Sequence, residues 1–352
     1  MSLNPLLIAC EDLGAKLDQV WASADPLSAV DPIPFLEFIL SPENTSGIVQ
    51  AVAPGRGKVR SVNVQWEQRI AESEVTSVTG RDCEATGTNK MFEANYTIDT
   101  QDVEKISQVI KVEDLAYLCE DNPNYVARQI AKMADAMDRK VASNIASEAE
   151  ALVGRYSASA ATYFGGTAMP SPYDTLVVAT KDASGNIVPG AWEKIDMARI
   201  MSGFSSFVGF GSAALAEYMR LGLAGCCTNY GLDIAEIYNL YGKSFAYDRR
   251  LAAALSTDSD ALFMEIGALQ LLTYTQNPGL GVLNFDLPFE AFNMVTPRGL
   301  PVDVLIKVDC PGEIHINMFS NTKLIGQPDD LYAAGDDFRG TKGTGFVKIT
   351  NP

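Results

Sequence analysis

Alternating apolar and polar positions predict two consecutive strands in the first third of the chain. One strand lies within residues 58–70 and the other spans Met91–Asp99. Their apolar positions are Val59, Val62, Val64 and Trp66 in the first strand, with an irregularity near Ser61, and Phe92, Ala94, Tyr96 and Ile98 on one face of the second. A long polar segment that contains TGRDCEATGTNK joins them, so the pattern predicts an extended hairpin over residues 57–105. Two strands alone bury too little surface to be stable, so this hairpin needs cover from elsewhere.

The strongest periodic pattern follows the hairpin and predicts one long helix. Asn122 is a capping residue, Pro123 suits the first helical position, and Gly154 marks the predicted end. Apolar residues recur between these limits at three- and four-residue spacing: Val126, Ile130, Met133, Met137, Val141, Ile145 and Leu152. Such a helix has roughly 30 residues and a length of about 45 Å, so it would act as an amphipathic strut.

Less regular patterns flank the hairpin and the helix. Asn4-Pro5 predicts the start of a short N-terminal helix. Residues 25–47 contain Pro26, Pro32, Pro34 and Pro42, which predict an extended arm. Residues 156–297 read as mixed helices and strands, and residues 300–318 as two alternating strands with a turn at Pro311-Gly312. The whole is typical of an α+β protein.

Composition and charge narrow the function classes. The 352 residues are 47% hydrophobic and 20% charged, which is typical of a folded globular chain. The net charge of −17 argues against coating nucleic acid and against binding an anionic membrane surface. No apolar run is long enough to span a bilayer, and the first residues do not resemble a signal peptide, so we expect folding in a cytoplasm. Six scattered cysteines without a CxxC pair favour free thiols over a zinc site or a disulfide framework.

A single histidine restricts catalytic chemistry. His315 lies in GEIHINMF, where polar and apolar residues alternate, so it is predicted on the polar face of a strand. Any nucleophile activated by histidine would have to use this residue, and a site with several histidine ligands is excluded.

The segment TGRDCEATGTNK resembles a phosphate-binding loop only superficially. Gly80 and Gly87 have the wrong spacing, Lys90 does not directly follow a glycine, and a strand rather than a helix comes next. Asp82 and Glu84 would also repel phosphate. We therefore interpret it as the solvated tip of the hairpin.

A second glycine pattern leaves an enzymatic alternative open. Gly209 and Gly211 begin a G-x-G-x-x-A match between a predicted strand and a predicted helix, and Asp233 follows about twenty residues later. This order is the fingerprint of dinucleotide binding, so a nucleotide-dependent oxidoreductase is one hypothesis. Tight strand-to-helix turns also prefer glycine, however, and the preceding residues do not resemble a doubly wound domain.

The order of parts resembles the tailed-bacteriophage major capsid protein of the Hong Kong 97 type. The order is arm, long hairpin, long helix, mixed α/β region and returning strands. The resemblance implies an N-terminal helix and N-arm in residues 1–56, an extended E-loop in 57–105, a spine helix in a peripheral domain in 106–155, an axial domain in 156–297, and returning peripheral strands with the C-terminal tail in 298–352. It rests on this architecture and not on a diagnostic motif.

By this resemblance the chain is a structural protein without catalytic residues, cofactors or metal ions. It would form hexamers and pentamers of an icosahedral shell, assembled in the bacterial cytoplasm, that encloses double-stranded DNA without sequence-specific binding. A separate scaffolding protein and a portal would be partners, with a decoration protein as a further candidate. The predicted inter-subunit contacts are Arg81, Glu84 and Lys90 at the hairpin tip, and Phe35 and Phe38 in the arm. An encapsulin-like cellular shell that encloses cargo is the alternative with the same fold.

Overall fold

The computed structural model describes residues 32–45, 48–52, 59–67, 91–99, 103–111, 122–156, 161–162, 175–177, 208–211, 244–255, 261–275, 289–309, 312–326 and 346–350. These residues form an α+β structure. Its helices are α1 (Pro34–Leu40), α2 (Pro42–Thr45), α3 (Asn122–Tyr156) and α4 (Arg249–Ala254).

The strands, in chain order, are β1 (Ile48–Val52), β2 (Val59–Glu67), β3 (Met91–Asp99), β4 (Glu104–Lys111), β5 (Ala161–Thr162), β6 (Thr175–Val177), β7 (Val208–Gly211), β8 (Ser244–Tyr247), β9 (Ala261–Met264), β10 (Leu269–Thr273), β11 (Phe289–Val295), β12 (Pro301–Asp309), β13 (Glu313–Ser320), β14 (Thr322–Gly326) and β15 (Phe346–Thr350). They form four sheets, and the chain divides into two compact units.

The first unit combines one half of α3 with a four-stranded antiparallel sheet. It includes Asp99–Ala142 and Thr273–Thr322, and its strands follow the order β11-β12-β13-β4. Strand β13 pairs with β4 along eight residues, from Glu313 opposite Lys111 to Ser320 opposite Glu104. Two segments that are far apart in sequence therefore close one sheet.

One face of this sheet and one stripe of α3 form the core of the first unit. The buried residues alternate along β12 and β13 and recur at helical spacing in α3. They include Val126, Ile130, Met133, Met137, Val141, Val302, Val304, Ile314, Ile316 and Met318. Burial of each such side chain contributes about 2 kcal/mol before conformational entropy is counted. The predicted helix and the two strands around Gly312 are confirmed, and Gly312 has the positive φ of 108° that the turn requires.

The second unit contains a six-stranded mixed sheet and two smaller sheets. It includes Ile33–Ile98, Ser143–Leu272 and Lys323–Pro352. The six strands follow the order β5-β6-β15-β9-β7-β8, while β1-β2-β3 and β10-β14 form the smaller sheets. Strand β9 lies inside the large sheet, antiparallel to both β15 and β7, and all four of its residues are buried. Such burial on both faces is typical of a strand covered by other elements.

Three expectations from the sequence differ from the structure. Helix α3 continues through Gly154 to Tyr156, since a glycine in a last turn costs only about 1 kcal/mol relative to alanine. Strand β15 pairs with β6 and β9, so the end of the chain joins the large sheet instead of the returning strands near residue 300. The predicted extended arm over residues 25–47 is wrong for Pro34–Thr45, which forms α1 and α2.

The error in the arm has a simple cause. Pro34 and Pro42 each occupy the first position of a helix, where a missing N–H is tolerated and the fixed φ suits the helical turn. The same prolines forbid one continuous helix, so the chain forms two short ones. Residues before 32 lie outside the described part, so the predicted N-terminal helix stays a prediction.

Candidate assembly surfaces

The base of the predicted hairpin is part of the protein core. Strands β2 and β3 are neighbours in one sheet, as predicted, and β1 pairs with β2 on the other side from Ile48 opposite Trp66 to Val52 opposite Val62. Val62, Val64 and Trp66 are buried within their own chain. The cover that the sequence analysis required for these strands therefore comes at least in part from within the chain, and β1 is the strand that sequence reasoning missed.

Strand β3 is also held on its other side. The Tyr96 hydroxyl donates a hydrogen bond to the carbonyl of Gly326 at 3.4 Å, and Lys323 Nζ donates to the carbonyl of Thr97 at 2.9 Å. The ring of Tyr96 meets Trp66 edge to face, with centroids 5.9 Å apart. These contacts fix the position of β3.

The predicted contacts at the hairpin tip cannot be placed. Arg81, Glu84 and Lys90, with the rest of TGRDCEATGTNK, lie outside the described residues. Their contact with a neighbouring subunit stays a prediction.

The two phenylalanines predicted to contact a neighbour have a role inside their own chain. Phe35 is 1% exposed, and its ring lies 5.5 Å from that of Phe210. Phe38 is half-buried, and its ring lies 5.3 Å from the same partner. Phe35 has no exposed surface left for a neighbouring subunit in this conformation, whereas the predicted contact at Phe38 is not tested by one chain.

Two buried polar residues, Asp248 and Asn44, link Pro34–Thr45 to distant parts of the chain. Sequence reasoning missed both of these long-range contacts. Asp248 accepts hydrogen bonds from the backbone of Arg250 and Leu251 at the start of α4, and from the backbone of Phe35. Asn44 contacts the turn between β9 and β10. An aspartate before an apolar run is a recognisable helix cap, so only the local half of Asp248's role could have been found from the sequence.

The lone histidine lies where the alternating pattern predicts it. His315 is half-buried on the polar face of β13, between Lys307 of β12 and Val109 of β4. Its Nε2 is 3.5 Å from a carboxylate oxygen of Glu313. Neither cross-strand neighbour carries a hydroxyl or thiol that the imidazole could activate.

The two glycines of the dinucleotide-like pattern lie in strand β7, and Gly209 has a packing role there. Gly209 lies within β7, and a Cβ at this position would be 2.4 Å from the Phe263 ring and 2.8 Å from the Phe245 ring. Gly211 ends the same strand, and its carbonyl accepts a hydrogen bond from the Asp248 amide. Asp233, the third residue of the pattern, lies outside the described residues. The described glycines therefore need no phosphate to explain them.

Searches for metal sites and membrane spans among the described residues give negative results. No group of three or more His, Cys, Asp or Glu side chains in this part of the chain is placed to hold a metal ion. No helix in the described ranges is long and apolar enough to cross a membrane.

Comparisons with known proteins find similarity in structure and none in sequence. No protein-family model matches the chain, and no curated protein matches it. A structure of the capsid of Myoviridae phage XM1 is 11% identical with a TM-score of 0.40, over 91% of each chain. The capsid structure of Cyanophage P-SCSP1u is 9% identical with a TM-score of 0.41, over 85% of each chain. A structure from Mycobacterium phage Che8 is 14% identical with a TM-score of 0.39, over 84% of this chain and 85% of the other. Because every one of these TM-scores lies below 0.5, a functional proposal has to rest on the architecture of this chain.

Proposed function

We propose that this chain is a major capsid protein of a tailed phage, with a Hong Kong 97-type fold, that assembles into an icosahedral shell around double-stranded DNA. The observation that carries the proposal is the pairing of β4 with β13. Strand β4 and helix α3 come first in the chain, and a region of mixed helices and strands follows them. Strands β11, β12 and β13 then complete the sheet that contains β4. This order supports our proposed division into a peripheral domain with a spine helix and an inserted axial domain.

The long helix supports the same proposal. Its first half, up to Ala142, packs on the four-stranded sheet and is fixed there by polar contacts. Thr296 donates to the Asp138 carboxylate at 2.9 Å, and Gln108 donates to Gln129 at 2.8 Å. These contacts join the helix to the sheet, as we expect for the spine helix of a shell subunit.

The charge balance is consistent with enclosing DNA without binding it tightly. A chain with a net charge of −17 gains no affinity from neutralising phosphates. Sequence-specific contacts with the genome are therefore not part of the proposal. We expect hexamers and pentamers of this chain, a separate scaffolding protein and a portal as partners, and the virion capsid as the final location.

The decisive experiment measures particle size. We expect megadalton closed particles, or capsomers, when the purified chain is examined by analytical ultracentrifugation and electron microscopy with and without a scaffolding protein. A protein that stays monomeric under every such condition would contradict the proposal. The contents of particles formed in their natural host separate the two shell hypotheses, because DNA indicates a phage capsid and packaged protein indicates an encapsulin-like shell.

A deletion tests the predicted role of the hairpin tip. Removal of residues 74–89 leaves β2 and β3 intact, so we expect an unchanged thermal unfolding temperature of the subunit and a loss of closed particles. A matched variant keeps the length and composition of residues 74–89 but reorders them, which separates specific contacts from reach alone. Unfolding of the subunit by the deletion would show that the segment belongs to the core.

A further inference from the structure

The segment Ile33–Thr45, here called the clasp, contains two helices that are too short to be stable alone. Helix α1 has seven residues and α2 has four, whereas isolated helices below about 12 residues are marginal in water. Helix α1 also lacks a local cap, since Ile33 at its N-cap position makes no side-chain hydrogen bond. Its helical state therefore needs contacts from outside the segment.

The missing cap comes from a carboxylate that already caps another helix. Asp248 Oδ1 accepts hydrogen bonds from the amides of Arg250 at 2.9 Å and Leu251 at 3.0 Å, which caps α4. Asp248 Oδ2 accepts a hydrogen bond from the Phe35 amide at 3.2 Å, in the first turn of α1. One carboxylate, which is 2% exposed, thus caps two helices whose starting residues are far apart in sequence.

A second buried side chain holds the other end of the clasp. Asn44 is fully buried, and its Nδ2 donates to the carbonyl of Leu269 at 2.9 Å and to that of Ile39 at 3.2 Å. Its Oδ1 accepts a hydrogen bond from the Gly267 amide at 2.9 Å. The Asn44 carbonyl accepts from Gln270 Nε2 at 2.7 Å. The end of α2 is therefore fixed to the turn between β9 and β10.

Apolar contacts complete the docking between these two polar anchors. Ile33, Phe35, Leu36 and Ile39 are each at most 1% exposed. Phe35 and Phe38 cover the ring of Phe210 in β7. Opening of the clasp would expose apolar surface on the clasp and on β7. The open chain would therefore associate with other apolar surfaces more readily than the closed chain.

We propose that the clasp is a conditional two-state element. In the closed state Asp248 and Asn44 hold it as two helices over β7 and α4. In the open state the segment loses its helices and becomes extended, because Pro32, Pro34 and Pro42 favour extended neighbours. The large sheet stays folded in both states, so the clasp controls access to the apolar surface around Phe210. The proposal concerns a single chain and does not depend on shell assembly.

Hydrogen exchange on the full chain with Asp248→Asn tests the shared cap. The amide oxygen of asparagine can replace Oδ1 and keep both bonds to α4, while its NH₂ group then faces the Phe35 N–H. This substitution therefore removes the cap of α1 and spares that of α4. Loss of a hydrogen bond to a charged group shifts an opening equilibrium by roughly tenfold to a hundredfold. We expect the amides of residues 37–40 to exchange faster by that factor, and those of β9 by less than about threefold.

A second variant tests the anchor at Asn44, and a substitution at an exposed position serves as the control. Asn44→Asp has nearly the same shape, but it loses both donors to Ile39 and Leu269. We expect it to accelerate exchange in the same amides as Asp248→Asn. Lys132→Ala, on the exposed face of α3, should leave exchange in the clasp unchanged. Equal acceleration in the clasp and β9, no acceleration in the clasp, or failure of both variants to fold would each overturn the proposal, since each shows that the clasp does not open separately from the sheet.

Discussion

Substitution of Gly209 by alanine should destabilise the chain strongly, because strand β7 has no room for a side chain there. The added Cβ would lie 2.4 Å from Cε1 and 2.8 Å from Cδ1 of Phe263, and 2.8 Å from Cδ2 of Phe245. Carbon atoms in contact normally stay about 3.5–4.0 Å apart, so a ring or the strand must move by roughly 1 Å. Both rings are buried and tilt against each other at 5.9 Å between centroids, so neither can relieve the clash by turning out into solvent.

The expected cost follows from this crowding. Adding one carbon to a packed core usually costs about 1–3 kcal/mol, and the contact with two buried rings places Gly209→Ala near 3 kcal/mol. Chains of ordinary stability unfold with a free energy of about 5–15 kcal/mol, so the loss is easily measured. Urea unfolding followed by circular dichroism gives the free energy of unfolding for each variant.

A double-mutant cycle identifies the cause. Phe263→Leu alone should destabilise the chain by leaving a cavity. In the Gly209→Ala background the smaller side chain makes room for the new methyl group. The double variant should therefore lose less stability than the sum of the two single losses, by about 1 kcal/mol or more. A loss below about 0.5 kcal/mol for Gly209→Ala, or strict additivity, would refute the steric explanation and reopen the phosphate-binding interpretation of this glycine.

Further predictions concern two polar contacts of α3, both measured by urea unfolding. Lys348→Met should cost about 1.5 kcal/mol, because Lys348 Nζ lies 3.0 Å from Glu150 and its side chain is mostly buried. Lys140→Met, at an exposed ion pair with 3.9 Å between the charged atoms, is the matched control and should cost below about 0.5 kcal/mol. Thr296→Val should cost about 2 kcal/mol, since it keeps the shape but removes the 2.9 Å hydrogen bond to the buried Asp138 and the 3.1 Å hydrogen bond that Oγ1 accepts from the Leu300 amide. Equal losses for both lysine variants, or a neutral Thr296→Val, would show that burial does not set the strength of these contacts.

Elements with a long local period could be predicted from the sequence. Helix α3 begins at the predicted Asn122, and six of its seven predicted apolar positions, all except Leu152, are buried. Strands β12 and β13 follow the predicted alternation, with Ile314, Ile316 and Met318 inside. In each case many apolar residues of one segment lie on the same face, so their spacing predicts the element even when a few positions depart from it.

Elements whose structure depends on distant residues could not be predicted in this way. Strand β1 has only five residues, mostly apolar, so its sequence IVQAV gives no clear face. The position of β15 between β6 and β9 depends on pairing partners far along the chain. The helical state of the clasp depends on Asp248, which its own sequence cannot indicate. For the candidate site, element order predicted a shell protein, but the sequence could not show that Phe35, a predicted contact with a neighbour, is buried inside its own chain. The other predicted contacts stay predictions.

The burial of the hairpin base limits how the chain could reach a neighbour. Val62, Val64 and Trp66 are covered within the chain, and β3 is tied to β14 through Tyr96 and Thr97. A neighbouring subunit could therefore contact only the exposed face of these strands, at residues such as Ser61, Glu93 and Asn95, without breaking the core. The three predicted tip contacts, Arg81, Glu84 and Lys90, lie between β2 and β3 in the sequence, outside the described residues. If the chain forms a shell, we expect exposed polar side chains and not Val62, Val64 or Trp66 to recognise the neighbour, because packing within the chain already covers these three residues.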